Sequence, residues 1–84
     1  MNTEELKALQ VDKVIDARGT ACPGPLLEVK RNIATVEVDQ VVEVQSTDIG
    51  TTNDVPRWCK KMQHEYYGFY EDSGFYKILF KKLK

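Results

Sequence analysis

The sequence predicts an α/β fold: a two-layer α/β sandwich of order βαβαββ, in which a four-stranded mixed sheet carries two helices on one face. Three observations predict it. Apolar residues recur along the chain with a period near two and then near 3.6, strand-like and helix-like in turn. Clusters of Gly, Pro, Asp and Thr cut the chain into short elements. The last strand sets lysines against apolar side chains, so the sheet has one side that needs cover, and placing both helices there gives two layers.

Residues 1–11 (MNTEELKALQV) have helix-forming composition and read as a frayed turn or an extension leading into the core. Asp12 to Ala17 is a first strand centred on Val14 and Ile15, broken by Arg18-Gly19-Thr20-Ala21. Leu26, Val29 and Ile33 keep helical spacing with Glu28, Lys30 and Arg31 between them, so a first core helix runs from Pro23 to Ala34. Its prolines, Pro23 and Pro25, fall in the first turn, where the missing N–H has no intrahelical partner and the fixed φ suits the helix. Val41 to Ser46 is a second strand, with Val42 and Val44 on a buried face and Glu43 and Gln45 on the other. Thr47-Asp48-Ile49-Gly50 is a loop, after which Thr51, Thr52 or Asn53 supplies an N-cap. The second core helix, Thr52 to Glu65, aligns Val55, Trp58, Cys59, Met62 and Tyr66, with Pro56 near its start. A hairpin follows, Tyr66–Glu71 and Phe75–Lys81 around Asp72-Ser73-Gly74. Tyr76, Ile78 and Phe80 alternate with Lys77 and Lys81, which leaves Leu79 as an exposed apolar misfit. Residues 1–84 read as a single domain with its core in 12–82.

A chain of 84 residues has room for one hydrophobic core and none for a deep enclosed cavity, so chemistry belongs near the surface. With 42% hydrophobic and 30% charged residues, neither disorder nor membrane insertion is indicated. Twelve basic residues against thirteen acidic ones give a net charge of −1, which excludes a general phosphate-backbone binder. Lys81, Lys82 and Lys84 read as a solvated tail rather than a docking patch. No apolar stretch approaches the ~18–20 residues that span a bilayer, and the charged N-terminus lacks a signal-peptide core, so a cytoplasmic protein is expected. The two cysteines, Cys22 and Cys59, fit neither a disulfide framework nor a metal-ligand spacing, and in a reducing compartment both are expected as thiols.

Cys22 is the sharpest chemical feature. At or just before a helix N-terminus, a thiol faces unpaired N–H groups and the positive end of the macrodipole, both of which favour the thiolate. Arg18 adds a positive charge in the preceding loop, and the two prolines stiffen the turn and hold the sulfur at the surface. These conditions suit a nucleophile that attacks a sulfur atom and keeps the product as an anionic persulfide. The competing reading of Cys22 is a small buried hydrophobe, the usual state of a free cysteine. Cys59 shares a stripe with Val55 and Met62 and reads as a buried, inert thiol, the alternative being a resolving cysteine for Cys22. Asp54 reads as a favourable charge in the first turn of its helix, or else as a functional carboxylate. His64, the sole histidine, reads as a solvent-exposed helix residue. The aromatic run from Tyr66 to Tyr76 imitates a base-stacking platform, but without basic interleaving it suits hairpin packing better. Glycine-rich phosphate loops, carboxylate dyads and zinc spacings are absent from the sequence, and no metal or organic cofactor is expected.

Asp16-Ala17-Arg18-Gly19-Thr20-Ala21-Cys22-Pro23-Gly24-Pro25 resembles the strand and Cys-Pro-x-Pro motif of the TusA (SirA-like) family. Asp48-Ile49-Gly50-Thr51-Thr52-Asn53-Asp54-Val55-Pro56-Arg57-Trp58-Cys59 is similar to that family's approach to its second helix, typically a Thr-Thr-x-Asp-Ile-Pro-like run. The resemblance spans about residues 12–82, in register and without a large gap. It implies a βαβαββ two-layer sandwich and a motif cysteine, here Cys22, that accepts sulfur from a donor persulfide and passes it on. The implied partners are a donor protein such as a cysteine desulfurase and an acceptor carrier or enzyme. Direct nucleic-acid contact and membrane insertion are not expected, and the chain is expected as a monomer. Arg18, Gly19, Pro23, Pro25 and Asp54 fall in the matched runs as supporting positions. At Gly24 many relatives have a larger, often charged residue, which bears on the choice of partner. Two other classes remain open: a non-catalytic regulatory or interaction module of the same fold, and a thiol-redox protein using Cys22 and Cys59. The redox pair requires Cα atoms within about 7 Å.

The two thiols are separable by reactivity. Brief iodoacetamide treatment near neutral pH, followed by peptide mapping, is expected to label Cys22 much faster than Cys59. Equal or reversed labelling removes the physical basis for placing the chemistry on Cys22.

Overall fold

The computed structural model describes residues 2–20 and 24–84. Along them run α1 (Thr3–Ala8), β1 (Lys13–Asp16), α2 (Gly24–Asn32) with a 3₁₀ turn at Ile33–Thr35, β2 (Val41–Ser46), α3 (Thr51–Met62), β3 (Glu65–Asp72) and β4 (Phe75–Lys81). The strands form one sheet of order β1-β2-β4-β3. β1 is parallel to β2, and β4 is antiparallel to both of its neighbours, which makes the sheet mixed. α2 crosses between adjacent parallel strands, whereas α3 carries the chain past a gap that β4 then fills.

The central pair sets Val42 opposite Phe80 and Val44 opposite Ile78. All four are fully buried, packed with Val29 of α2 and with Val55, Trp58 and Cys59 of α3. The hairpin closes through Ser73 (φ 57) and Gly74 (φ 85), between the paired Asp72 and Phe75. Two positive φ values are what a two-residue loop needs if its twist is to match that of the strands. β3 carries a bulge between Tyr66 and Gly68, where Gly68 has φ 144.

The opposite face of the sheet is covered as well, which the sequence pattern did not predict. Residues 3–8 form a capped helix rather than a frayed turn. Asn2 Oδ1 accepts from the Glu5 N–H at 2.9 Å and Glu5 Oε1 accepts from the Asn2 N–H at 3.3 Å, a reciprocal capping box. Leu6 of this helix packs on Tyr70 and Leu79, with Val41 and Tyr67 beside them. Leu79 is therefore not an exposed misfit but fully buried. Glu43 is buried too, its carboxylate accepting from Gln45 Nε2 at 2.8 Å, so β2 is covered on both faces rather than one.

α3 differs from expectation at both ends. It starts at Thr51 with Gly50 in the cap position, and the threonines serve as buried hydroxyls instead of N-caps. Thr51 Oγ1 shares a 2.8 Å hydrogen bond with Ser46 Oγ, and Thr52 Oγ1 donates to the Ile49 carbonyl at 2.7 Å. Pro56 lies inside the helix, in its second turn rather than its first. The helix ends at Met62, short of Glu65, where Gln63 turns left-handed with φ 64. That turn leaves Met62 47% exposed rather than in the core. It also brings His64 inward onto Trp58 and Phe80, with ring centroids 5.2 and 6.1 Å apart, so the histidine is buried and not solvent-exposed. Lys82 is no solvated tail residue either: its Nζ donates to the carbonyls of Ile33 at 3.0 Å and Val36 at 2.7 Å, capping the end of the 3₁₀ turn.

Leu79→Ala is expected to cost about 2–5 kcal/mol through lost burial and a residual cavity. Met62→Ala should cost about 0.5 kcal/mol or less. Urea unfolding midpoints at unchanged slope measure both, and equal costs at the two positions would contradict the buried placement of Leu79.

Candidate functional site

Because β1 and β2 are parallel, their carboxyl ends lie together, and each is followed by a loop that leads into a helix. Open α/β sheets bind ligands outside such strand ends. A shallow open cleft of about 550 Å³ lies there, lined by Gly19 and Thr20 from the first loop, Thr47, Asp48 and Ile49 from the second, and Tyr76 from β4.

Hydrogen bonds fix both loops. The Ala17 N–H donates to the Gln45 carbonyl at 2.9 Å, carrying the β1–β2 ladder one residue beyond the strand. Gly19 then turns to φ +81, and its N–H donates to Thr47 Oγ1 at 3.1 Å, tying the first loop to the second. Thr20 Oγ1 donates back to the Ala17 carbonyl at 2.8 Å. In the second loop Asp48 Oδ1 accepts from the Gly50 N–H at 2.9 Å, and the Asp48 N–H donates to the buried Ser46 hydroxyl at 3.1 Å. The lining thus mixes hydroxyl, amide and carboxylate groups with the exposed Ile49 side chain and with Tyr76, against which Phe69 packs edge-on at 6.1 Å.

The residues singled out from the sequence fall as follows. Cys22 and Pro23 lie outside the described residues, between Thr20, which lines the cleft, and Gly24, which opens α2. A Cβ on Gly24 would stand 3.0 Å from Thr20 Cβ, so the glycine permits a close approach of helix and loop. Pro25 is buried in the first turn of α2. Gly19 lines the cleft, and Asp54 sits in the first turn of α3, at the positive end of its dipole. Arg18 is engaged elsewhere. Its Nε and Nη2 donate to the two carboxylate oxygens of Asp16 at 2.9 and 3.0 Å, and its guanidinium carbon lies 4.9 Å from the centre of the Phe75 ring. The hydrogen bonds from Arg18 pull the Asp16 carboxyl down to about 2, and the carboxylate in turn raises the guanidinium. Phe75 and Tyr76 point to opposite faces of the sheet, so Arg18 covers the neighbour of a cleft residue and not the cleft.

Cys59 is fully buried in the core, and burial pushes its thiol up to about 12. Thr47, Asp48, Ile49 and Tyr76 were legible in the sequence only as a loop and a strand alternation. The signal that marks them is positional, since they stand where a second parallel strand ends. Among the described residues no group of three His, Cys, Asp or Glu side chains gathers as a metal site, and no helix is long and apolar enough to cross a membrane.

The model of the family described as Sulfurtransferase TusA matches residues 13–82. A protein of Archaeoglobus fulgidus named "Putative sulfur carrier protein" is 45% identical over 71 residues, covering 84% of this chain and 97% of its own. In Bacillus subtilis, "Putative sulfur carrier protein YrkI" is 40% identical over 57 residues, which cover 68% of this chain and 76% of its own. "Putative sulfur carrier protein YrkF" of the same organism is 40% identical over 55 residues, 66% of this chain but 30% of its own length. The crystal structure of the SirA-like protein from Desulfitobacterium hafniense superposes with a TM-score of 0.72 at 22% identity, covering 86% of this chain and 99% of that one. At that identity the likeness is one of fold.

Gly19→Ala tests whether the loop's left-handed turn is used. A Cβ there meets nothing within 4 Å, so the cost is conformational alone, and about 1–2 kcal/mol is expected in chemical denaturation. A neutral result would mean that the loop turns without a positive φ at this residue.

Proposed function

The chain belongs to the TusA sulfurtransferase family, and from that premise we propose that it is a sulfur carrier whose cargo travels as a persulfide on Cys22. The observation that carries this reading is the family match across residues 13–82, which includes the Cys-Pro-Gly-Pro run at 22–25. The Cys22 thiolate attacks the outer sulfur of a donor protein's persulfide. One S–S bond forms as the donor's S–S bond breaks, the donor thiolate leaves with the electron pair, and no net oxidant is consumed. An acceptor thiol later attacks the outer sulfur of the Cys22 persulfide in the same manner and regenerates the thiolate.

Two features of the structure support a relay over a self-sufficient enzyme. The cleft beside Thr20 is shallow and open, suited to the approach of another protein's chain rather than to enclosing a small substrate. Cys59, buried and held far above neutral pH, is a poor nucleophile, which favours one working thiol over a redox pair. Arg18 spends its charge on Asp16, so in this reading thiolate stabilisation falls to the N-terminus of α2. Donor and acceptor are proteins, a cysteine desulfurase fitting the donor's role, and the exchange runs in the cytoplasm.

Incubation with a cysteine desulfurase and cysteine, followed by intact-mass measurement, tests the assignment. The wild-type chain should gain one sulfur that a reductant removes, Cys22→Ser should gain none, and Cys59→Ser should load almost normally. A labile sulfur retained by Cys22→Ser, or lost entirely from Cys59→Ser, would refute the single-thiol relay.

A further inference from the structure

The last residues of the chain are fastened at the end of the sheet remote from the cleft. Tyr76 lines the cleft where β4 begins, whereas Lys82 follows the other end of that strand. Lys82 is held by backbone bonds, its N–H donating to the Gln40 carbonyl at 3.0 Å and its carbonyl accepting from the Asp39 N–H at 2.7 Å. Its ammonium is pinned by the Ile33 and Val36 carbonyls. Beyond it the attachment changes character: the Leu83 N–H donates to His64 Nδ1 at 3.2 Å, and Lys84 Nζ donates to Gln63 Oε1.

We propose that His64 is a pH-operated latch for this segment, holding Leu83 and Lys84 against α3 while the imidazole is neutral and releasing them when it is protonated. The bond to Leu83 needs a bare Nδ1, which fixes the proton of the neutral ring on Nε2. In the imidazolium both nitrogens carry hydrogen, so the Leu83 N–H faces another N–H. The new cation also arises beside Lys82, whose ammonium cannot retreat without giving up two carbonyls. The other ionisable groups on the surrounding elements are Cys59, Lys60 and Lys61 at the end of α3, Glu65 and Tyr66 at the start of β3, Lys81 at the end of β4, and Lys84. Burial first, and then the field of Lys82, hold the imidazole below its ordinary 6.5.

The sign follows from this. The closed state binds the proton less readily than the open one, so lowering the pH below about 6.5 favours opening. The gain is about tenfold for each pH unit that separates the closed and open values of His64. Lys82 keeps its backbone bonds, so opening begins beyond it, at the bonds from Leu83 to His64 and from Lys84 to Gln63.

The sole tryptophan and the sole histidine face each other at 5.2 Å, which provides an internal reporter. On acidification from pH 7.5 to 5, Trp58 fluorescence should fall as the imidazolium quenches it. Hydrogen exchange at the Leu83 amide, corrected for its intrinsic pH dependence, should accelerate with the same midpoint. His64→Gln should abolish both changes, and Lys82→Gln should raise the midpoint by removing the like charge. The proposal is overturned if NMR shows His64 titrating while Leu83 stays protected, if His64 does not titrate above pH 5, or if the wild-type transition persists in His64→Gln. It is equally overturned if amides of β2 lose protection at the same midpoint, which would make the event global unfolding.

Discussion

A four-stranded sheet has two faces, and a chain of 84 residues has little with which to cover them. The structure meets that constraint by concentrating burial on β2 and β4, its two central strands. Val42, Val44, Ile78 and Phe80 fill the face under α2 and α3, and Leu79 with Val41 fills the other under α1. Every other arrangement hangs on this pair. β1 is aligned by its ladder to β2, which sets the loop that follows β1 beside the loop that follows β2 and so forms the cleft. The C-terminal segment continues from β4, which places it within reach of the end of α3.

The alternation of Tyr76, Ile78 and Phe80 named one buried face correctly, and the turn signals located all four strands. What periodicity missed in the sheet has one physical origin. Lys77, Leu79 and Lys81 look like a solvent face because lysines flank an isolated leucine, and only the arrival of α1 turns that leucine into core. The Asn2–Glu5 capping box is written in the sequence as an Asn followed three residues later by a Glu, a local signature of a helix start. The errors at Met62 and His64 were of another kind. A helical wheel continued through Gln63 places both residues wrongly, and no pattern of apolar spacing announces a left-handed Gln. At the site, the Cys-Pro-Gly-Pro run marked the family in the sequence, but the geometry of the cleft was not legible. Thr47 contributes through a side-chain oxygen that accepts a backbone N–H from another loop, a contact between residues 28 positions apart.

A carrier of the proposed kind has little to gain from an enclosing pocket. Exchange of an outer sulfur between thiols breaks one S–S bond and makes another, so its direction is set largely by the relative stability of the two thiolates and by which partner is bound. The requirement on the protein is therefore presentation on a rigid mount. Around the cleft, Gly19 and Thr20 are held by short hydrogen bonds to Thr47 and Ala17 and Gly24 approaches Thr20 closely, while Cys59 is withdrawn into the core.

The bulge in β3 has a consequence at the level of many molecules. β1 and β3 are the edges of the sheet, and β1, at four residues, is too short to template much. β3 runs for eight residues and is rich in aromatics, the profile of a strand that recruits other strands. Tyr67, the extra residue between the partners of Phe80 and Leu79, interrupts its register and adds local twist. An incoming strand can match one half of that edge or the other but not both. The bulge thus joins the carboxylates of Glu65, Glu71 and Asp72 on the same strand in working against fibril-like stacking along this edge.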